Sequence, residues 1–518
     1  MVVEALARPS PEAERTLRRL FLAAGVGLSL FLAWLLVTYG GPDSNLLAPV
    51  GFFAVLLVAP LVLRRPVVGL YILMGAAVVV ETDQLSFGMQ GTSALPFFRD
   101  LNSVTGIRGF WINPAELLIL ITAAGWLLRE GAGDRVKLKP MPLLAPVTVF
   151  IAAVAFGVIH GLITGGDAKI ALWTVRPLAY FYLAYLLTLQ LLTDRRQITG
   201  LLWLLIVGAA LKGLIGWWRY YVDLGADLSA LNEIEGMNSL MSHDESFFYL
   251  AVILLLAVQL LYGAPRGQRL AALLATPLVL LPFLANQRRA ASLALIIALV
   301  LLGVVTISLL ASRRRAILTG IVLAAAVLPF YVAMSWNADS LAAEPVRAVR
   351  SGVSPESRDL ASNEYREAEN VNLEFTVRSD PLLGIGFGKE MREVWPLPDL
   401  SAQFAWYKIA PHNSILWLMM TIGIGGFAIF WYFVGAATVG MLLVARRLSR
   451  RLEKGVAVYG LLMLVSLLVS ALLDQGLLSM REMLFVGILL GAVFALPRLD
   501  AAESDGVERA KSGGSGGE

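Results

Sequence analysis

Cysteine is absent from the 518 residues, so the chain has no disulfide, no thiolate metal ligand and no cysteine nucleophile. Histidine occurs only at His160, His243 and His412, which leaves little for a histidine-rich metal centre. Charged residues make up 15% of the chain, against roughly 25% in an ordinary soluble domain. Because 58% of the residues are hydrophobic, a soluble fold of this size could not bury them all, and disorder is excluded as well.

Apolar runs of transmembrane length recur along the chain. Fourteen such runs lie near 20–38, 46–63, 66–80, 113–129, 141–163, 169–192, 198–218, 246–263, 268–286, 290–311, 316–334, 417–443, 455–473 and 480–497. A few, such as 66–80, are short enough to be tilted or re-entrant. The sequence therefore predicts an all-α, polytopic membrane bundle of about 14 transmembrane helices.

Basic clusters alternate with these runs and predict the orientation of the bundle. All clusters but one fall on one side, which indicates an even number of spans with both termini in the cytoplasm. The exception is Asn286-Gln287-Arg288-Arg289, at the extracytoplasmic end of span nine. An arginine pair there is costly beside a bilayer and indicates an anion site facing a polar cavity. Snorkelling of the arginines to lipid phosphates is the alternative.

The runs also predict how the chain is divided. The expected parts are an N-terminal transmembrane bundle of about 11 spans (1–334), one large extracytoplasmic loop (335–412), C-terminal transmembrane helices (413–498) and a disordered cytoplasmic tail (499–518). Gly384, Gly386 and Gly388 are expected to form a tight turn that returns the loop to the membrane, since no βαβ unit makes them a dinucleotide motif.

Four motifs follow one another in the second half of the chain. They are Asn286–Ser292, Arg366 ahead of Pro381-Leu-Leu-Gly-Ile-Gly-Phe-Gly, then Pro411-His-Asn-Ser-Ile-Leu-Trp-Leu, and Gly423-Ile-Gly-Gly. In this order they resemble the O-antigen ligase and polymerase superfamily. The resemblance in motif covers roughly 280–430, and the many spans extend it to most of the chain.

This resemblance implies a glycosyltransferase of the bacterial plasma (inner) membrane with its active site on the extracytoplasmic side. Such enzymes transfer a glycan from a polyprenyl diphosphate to an acceptor hydroxyl, and no cofactor or metal is expected. The implied partners are the lipid-linked glycan donor, a glycan or lipid acceptor and membrane lipids, with no nucleic acid. A ligase and a polymerase use the same donor and differ only in the acceptor, so both stay open.

Arginine side chains fit that chemistry independently of the resemblance. The departing glycan leaves a charged diphosphate, and guanidinium groups bind its oxygens bidentately while staying charged at any working pH. The sequence therefore assigns Arg288 and Arg289 to the diphosphate at headgroup depth. Arg366 aligns with the loop arginine of the family, and a surface ion pair with Glu369 is the alternative reading.

His412 is the candidate general base, because an acceptor hydroxyl must lose its proton as it attacks the anomeric carbon. A single displacement of this kind would invert the anomeric configuration. The alternative is a capping or packing histidine, since Pro411-His412-Asn413-Ser414 is typical of a helix N-terminus. Asn413 is assigned to the substrate site, where it would orient His412 or the loop. His160 lies in an apolar run and is taken as structural.

One stretch departs from the family pattern. Family members often carry an arginine and a glycine in the loop before span eight, whereas Glu235 here precedes Gly236. Arg176 or Arg219 is the candidate to supply the missing charge. His243-Asp244-Glu245 is expected in a solvated loop, with a site for a divalent ion or a sugar as the alternative.

Two functions from other classes stay open beside glycan transfer. A flippase for lipid-linked glycans, or another secondary transporter, suits fourteen spans. It does not explain the large loop with its histidine, and no internal repeat supports it. A non-catalytic membrane assembly or sensor protein is the third possibility. Transfer of glycan with neither an energy source nor a nucleotide sugar would separate the first function from the other two.

Overall fold

The computed structural model describes residues 57–82, 111–131, 138–228, 239–338, 340–355, 357–401 and 404–513, together with Thr92, Leu95, 97–100, Asn102 and Ala230. Within these residues the protein is all-helical, with 78% helix and no strand. The helices of ten or more residues are α1 Val67–Val79, α2 Pro114–Gly131, α3 Leu144–Ile163, α4 Ala168–Leu191, α5 Arg195–Trp218, α6 His243–Tyr262, α7 Arg266–Ala285, α8 Arg289–Leu309, α9 Arg314–Ser335, α10 Glu344–Val353, α11 Ser357–Ser379, α12 Ser414–Arg447, α13 Arg451–Leu473 and α14 Met480–Gly513.

Ten of these helices, α3–α9 and α12–α14, are long and apolar enough to cross a membrane. The prediction of an all-α, multi-pass membrane protein is therefore confirmed at that level. Helix α1 is apolar but shorter, and α2 carries Glu116, Arg129 and Glu130. The predicted runs 20–38 and most of 46–63 lie outside the described residues.

Helix α14 is the central helix of the bundle, and α9 lies at its periphery. The apolar part of α14 is 89% buried, against 6% for α9 with its preceding turn. Glycines on α14 let α4 approach closely: a Cβ at Gly487 would lie 2.5 Å from the carbonyl oxygen of Phe181. Past the apolar part, α14 continues to Gly513, although the sequence predicts a disordered tail from 499. The stretch is rich in Ala, Glu, Lys and Arg, which favour helix.

The loops of the bundle collect at two ends. At the basic end, Arg195, Gln268 and Arg450 line one cavity, and the Arg451 side chain donates to the Ser312 hydroxyl at 3.4 Å. This end carries the basic clusters that start α5, α7, α9 and α13. The basic clusters that alternate with apolar runs along the sequence therefore lie at the same end of the folded bundle.

The opposite end, called the His412 end here, is covered by the segment between α9 and α12. This segment holds α10 and α11, and it contacts the other loops at that end. The N–H of Asp167 donates to the Gly388 carbonyl at 2.8 Å, and Gln475 Nε2 donates to the Ala410 carbonyl at 2.6 Å. Gln287 Nε2 likewise donates to Glu344 Oε1 at 3.0 Å.

The segment Pro381–Gly388 lies between α3 and α12 and pairs with the backbone of a break in α12. Ile424 N–H donates to the Pro381 carbonyl at 2.8 Å, and Ile385 N–H donates to the Met420 carbonyl at 2.9 Å. The break falls at Gly423, whose φ of 67° is not helical. Two of the four sequence motifs, far apart along the chain, therefore lie in contact.

Glycine is required where this segment meets its neighbours. Gly384, Gly386 and Gly388 all have positive φ, which L side chains rarely adopt. A Cβ on Gly386 would lie 2.3 Å from the Cα of Gly161 in α3. The turn therefore brings the chain from α11 back against the membrane-spanning helices and on to His412.

Candidate functional site

A cavity of about 720 Å³ lies at the His412 end of the bundle. Its volume is in the range of small-molecule and cofactor sites. Its walls come from the start of α8, from α10 and α11, from the residues before α12, and from the end of α13. Of the sequence-predicted site residues, the cavity brings together Arg289, Arg366, His412 and Asn413.

His412 is held by a buried carboxylate. Its Nδ1 lies 2.8 Å from Glu369 Oε2, and its backbone N–H donates to the same oxygen at 3.3 Å. Glu369 is 2% exposed, whereas the imidazole of His412 is partly exposed to the cavity. If Nδ1 carries the proton and donates it to Glu369, Nε2 is left as the free acceptor.

Tyr365 packs on the same pair. Its ring meets the imidazole edge-on, with 5.8 Å between centroids. Burial and the carboxylate of Glu369 raise the pKa of Tyr365, and its hydroxyl is hydrogen-bonded to that carboxylate. Tyr365 therefore stays protonated and acts as a second donor to Glu369, which fixes the carboxylate against the imidazole.

The start of α12 positions His412. Asn413 caps the helix, since its Oδ1 accepts from Leu416 N–H at 3.0 Å, and its Nδ2 donates to Asn370 Oδ1 at 3.1 Å. The buried Ser414 hydroxyl bonds to the carbonyl of Ala471 at 2.9 Å. Asn413 thus serves as a helix cap that ties α12 to α11, and His412 is fixed by the same turn.

Arg289 and Arg366 carry positive charge on the cavity wall. Arg289, the first residue of α8, donates to the hydroxyls of Ser351 and Ser362 at 3.3 and 3.4 Å. Arg366 on α11 has a buried Nε without a hydrogen-bond partner in the part of the chain that the structure describes. The expected alternative for Arg366, an ion pair with Glu369, is not formed, because Glu369 contacts His412 instead.

Arg288 lies beside the cavity, not on its wall. Its Nη2 donates to the Ser239 hydroxyl at 2.9 Å. Asp474, at the end of α13, is close enough to respond to its charge. Burial opposes ionisation of this carboxyl, but His243, His412 and Arg288 outweigh burial and hold the pKa of Asp474 well below its usual range.

Arg176 lies in a separate cluster on α4. It is 3% exposed, its Nε lies 2.8 Å from Glu116 Oε1, and it also contacts Asp100 and the carbonyl of Trp111. These contacts tie α4 to the start of α2. Of the remaining histidines, His160 stacks on Phe156 within α3, at 6.1 Å between ring centroids.

Arg219 also lies outside the cavity, in a buried cluster of charges. Its Nη2 is 3.4 Å from Glu81 Oε2, and Lys212 is ion-paired with the same carboxylate. Arg481 Nη1 is 2.7 Å from Glu245 Oε1. The side chains in these ion pairs are fully buried. Paired charges of this kind join the end of α5 to α6 and α14.

The expectation of a solvated loop at His243-Asp244-Glu245 is wrong, because these residues form the first turn of α6. Asp244 is 9% exposed and Glu245 is fully buried. The sequence could not show that Arg481, far along the chain, would compensate the Glu245 charge. The loop position of Glu235 and Gly236 lies outside the described residues.

Glu369 is the functional candidate that the sequence reasoning missed. A signal existed, because Arg366 is three residues after Asn363, and Glu369 and Asn370 are three and four residues after Arg366, which is helical spacing. All four line the cavity from one face of α11. The periodicity of polar residues inside the charged segment could therefore have marked this face.

Among the described residues, no group of three or more His, Asp and Glu side chains is placed to hold a metal ion. No family model and no curated protein matches the sequence. The interpretation therefore rests on the chemistry of the cavity itself. It holds a histidine–carboxylate pair, two arginines, the further carboxylates of Glu367 and Glu374, and an apolar wall that continues onto a membrane-spanning helix.

Proposed function

We propose that the protein is a membrane glycosyltransferase of the O-antigen ligase and polymerase type, acting at the extracytoplasmic face of a bacterial plasma membrane. The observation that carries the proposal is the shared cavity. It holds a carboxylate-bound histidine and two arginines beside an apolar wall. The same proposal retains about 14 spans, of which ten are described helices, and takes the segment between α9 and α12 as the large extracytoplasmic loop.

The donor is a glycan on polyprenyl diphosphate, which combines an apolar polyprenyl chain with a charged diphosphate. The cavity offers apolar side chains to the first and arginines to the second. Three apolar side chains on helices of membrane-spanning type line the cavity: Leu293 and Ile296 of α8 and Leu472 of α13. They are 42%, 44% and 51% exposed. We place the polyprenyl chain along them. Arg289 and Arg366 then meet the diphosphate, to which guanidinium groups can donate bidentately.

The acceptor hydroxyl is deprotonated by His412. As its oxygen forms a bond to the anomeric carbon, the bond from that carbon to the diphosphate oxygen breaks, and the proton passes to Nε2 of the imidazole. The diphosphate leaves with the electron pair, and the two arginines stabilise its charge. The attack is in line with the leaving group, so the anomeric configuration is inverted.

Arg288 takes a different part from its neighbour in this proposal. It contacts Ser239 beside the cavity, so we assign it to holding the turn before α8. Asn413 positions His412 through its cap on α12, and Arg176 and Arg219 act in the packing of the bundle.

The test is transfer in a purified system. The protein in lipid nanodiscs receives polyprenyl-diphosphate-linked oligosaccharide and an acceptor, with no nucleotide sugar and no energy source. A new glycosidic bond and release of polyprenyl diphosphate support the proposal, and chelation of divalent ions should leave the rate unchanged. Movement of the donor across the bilayer with no new bond would instead show a flippase.

Variants of the three arginines sharpen this test. Arg289→Ala and Arg366→Ala should each reduce transfer by about tenfold to a hundredfold, because a charged hydrogen bond to the diphosphate is lost. Arg289→Lys should recover only part of the rate, because lysine keeps the charge but loses the planar fork. Arg288→Ala should reduce transfer less than either, and a reversed order would contradict this division of roles.

The acceptor class can be read from cells that lack the protein. Shortened glycan chains would indicate a polymerase. Full-length chains retained on the polyprenyl carrier would indicate a ligase.

A further inference from the structure

A second cavity, of about 180 Å³, lies at the basic end of the bundle. The start of α5, the end of α6, and the starts of α7 and α13 surround it. It therefore lies at the opposite end of α13 from the site that contains His412.

The interior of this cavity is apolar and its mouth is basic. The interior includes the apolar side chains of Leu202, Leu255, Val258, Val456 and Leu496. The charged residues of the lining are Arg195, Arg196, Arg450 and Glu453, and their formal charges sum to +2. Arg195 pairs with Glu453 at 2.7 Å and with Asp500 at 2.6 Å, and the side chains of Arg196 and Arg450 are exposed. With Asp500 included, the formal charges around the mouth sum to +1.

Two helix N-termini reinforce this charge. The residues that precede α7 and α13, Pro265 and Arg450, give their helices no side-chain cap. The first N–H groups of a helix favour an anion when no cap satisfies them. Gln268 in the first turn of α7 and Leu452 in the first turn of α13 both line the cavity.

A buried acceptor inside the cavity points independently to a ligand. Gln259 is 3% exposed, and its Nε2 donates to Gln268 Oε1 at 3.4 Å. Gln268 Nε2 in turn donates to the Thr199 carbonyl at 3.1 Å. Oε1 of Gln259 remains buried without a donor among the described residues. A buried acceptor without a partner is costly, so a hydroxyl or N–H group from a bound molecule would satisfy it.

We propose that this cavity binds an anionic phospholipid whose headgroup carries a hydroxyl group. The phosphate lies between Arg196, Arg450 and the two helix N-termini. A headgroup hydroxyl donates to Gln259 Oε1, and the first part of an acyl chain fills the apolar interior. Basic pockets between membrane helices are a known setting for anionic lipid headgroups. The inference is independent of the glycan chemistry proposed for the other end.

The experiment measures lipid-dependent thermal stability of the full chain after delipidation in detergent. Phosphatidylglycerol should raise the unfolding temperature by several degrees, because a ligand that binds only the folded state stabilises it. Phosphatidylcholine, with no net charge, and inorganic phosphate, with no acyl chain, should give little shift. An equal shift with phosphatidylcholine would overturn the proposal, and an equal shift with phosphate alone would show a simple anion site.

Variants of the arginines test whether phosphatidylglycerol binds in this cavity. Arg196→Gln combined with Arg450→Gln should weaken the apparent affinity for phosphatidylglycerol by roughly tenfold or more. The matched control is Arg446→Gln with Arg447→Gln, which removes two exposed arginines at the same end but outside the cavity. Equal affinities in the two double variants would place the lipid elsewhere.

Gln259→Leu tests the headgroup hydroxyl by removing the acceptor at similar volume. This variant should weaken the binding of phosphatidylglycerol. It should leave the binding of phosphatidic acid, which has no glycerol headgroup, unchanged. Unchanged binding of both lipids would contradict the assigned hydrogen bond, while equal loss of both would show that Gln259 shapes the cavity only.

Discussion

Glu369 defines what His412 can do, because a carboxylate at Nδ1 leaves Nε2 as the proton acceptor. His412→Gln keeps a hydrogen-bonding side chain but cannot take a proton. We expect glycan transfer to fall by roughly 10²–10⁴-fold, the usual contribution of a positioned general base. Donor binding should be retained. Initial rates and donor affinity in nanodiscs measure the two effects, and full activity in this variant would assign the base elsewhere.

Glu369→Gln tests the carboxylate as a positioning residue. The amide can still accept from Nδ1–H, but it has no charge to stabilise the imidazolium that forms during transfer. We expect kcat to fall about tenfold to a hundredfold with little change in KM, because the carboxylate acts on the transition state through His412. Glu364→Gln, on the exposed face of α11, is the matched control. A loss confined to KM would show a binding role instead.

The sequence could predict in outline which residue types form the site. His412, Arg289 and Arg366 share one cavity because each lies at a helix start or on a helix face that reaches the same end of the bundle. Arg176 and Arg219 could not be placed from sequence, since their partners Glu116 and Glu81 lie far from them along the chain. The partners of buried charges are decided by helix packing, which periodicity does not show.

At the scale of elements, the Pro381–Gly388 segment depends on close contact with α3. In Gly386→Ala, a Cβ would lie 2.3 Å from the Cα of Gly161, and the residue would keep a φ of 82°. Strain from such a backbone costs of the order of 1–3 kcal/mol before the clash is counted. We expect a clear fall in the unfolding temperature and loss of transfer, measured by thermal unfolding in detergent.

The matched control is Gly435→Ala in α12, where a Cβ would meet nothing within 4 Å. It should leave stability unchanged or raise it slightly, since alanine favours helix over glycine. Equal destabilisation by the two changes would mean that Gly386 does not stabilise the protein through the contact of the Pro381–Gly388 segment with α3.

Hydropathy located the membrane-spanning helices because their apolar composition is a local property. It did not show the break in α12 at Gly423, which is satisfied by the carbonyl of Pro381 from a distant segment. Nor did it show α10, whose polar sequence gives no long apolar run. Elements set by local composition were predictable, and those set by tertiary contacts were not.

At the scale of the whole molecule, the two cavities lie at opposite ends of α13. The 23 residues of that helix span about 35 Å, slightly more than the hydrocarbon core of a bilayer. The proposed glycan site and the proposed lipid site therefore face opposite leaflets if α13 crosses the membrane. The positive-inside rule predicts that the basic end faces the cytoplasm.

Reporter fusions test this orientation directly. A fusion after Arg315 lies at the basic end, and one within 340–400 lies in the segment that covers the His412 end. Because α9 alone separates them, we expect alkaline phosphatase to be active only in the second fusion and green fluorescent protein to fluoresce only in the first. Activity of both phosphatase fusions would mean that α9 does not cross the membrane, and the exposure of this peripheral helix makes it the span to test. The opposite pattern would place His412 in the cytoplasm, where a donor presented from the outer leaflet could not reach it.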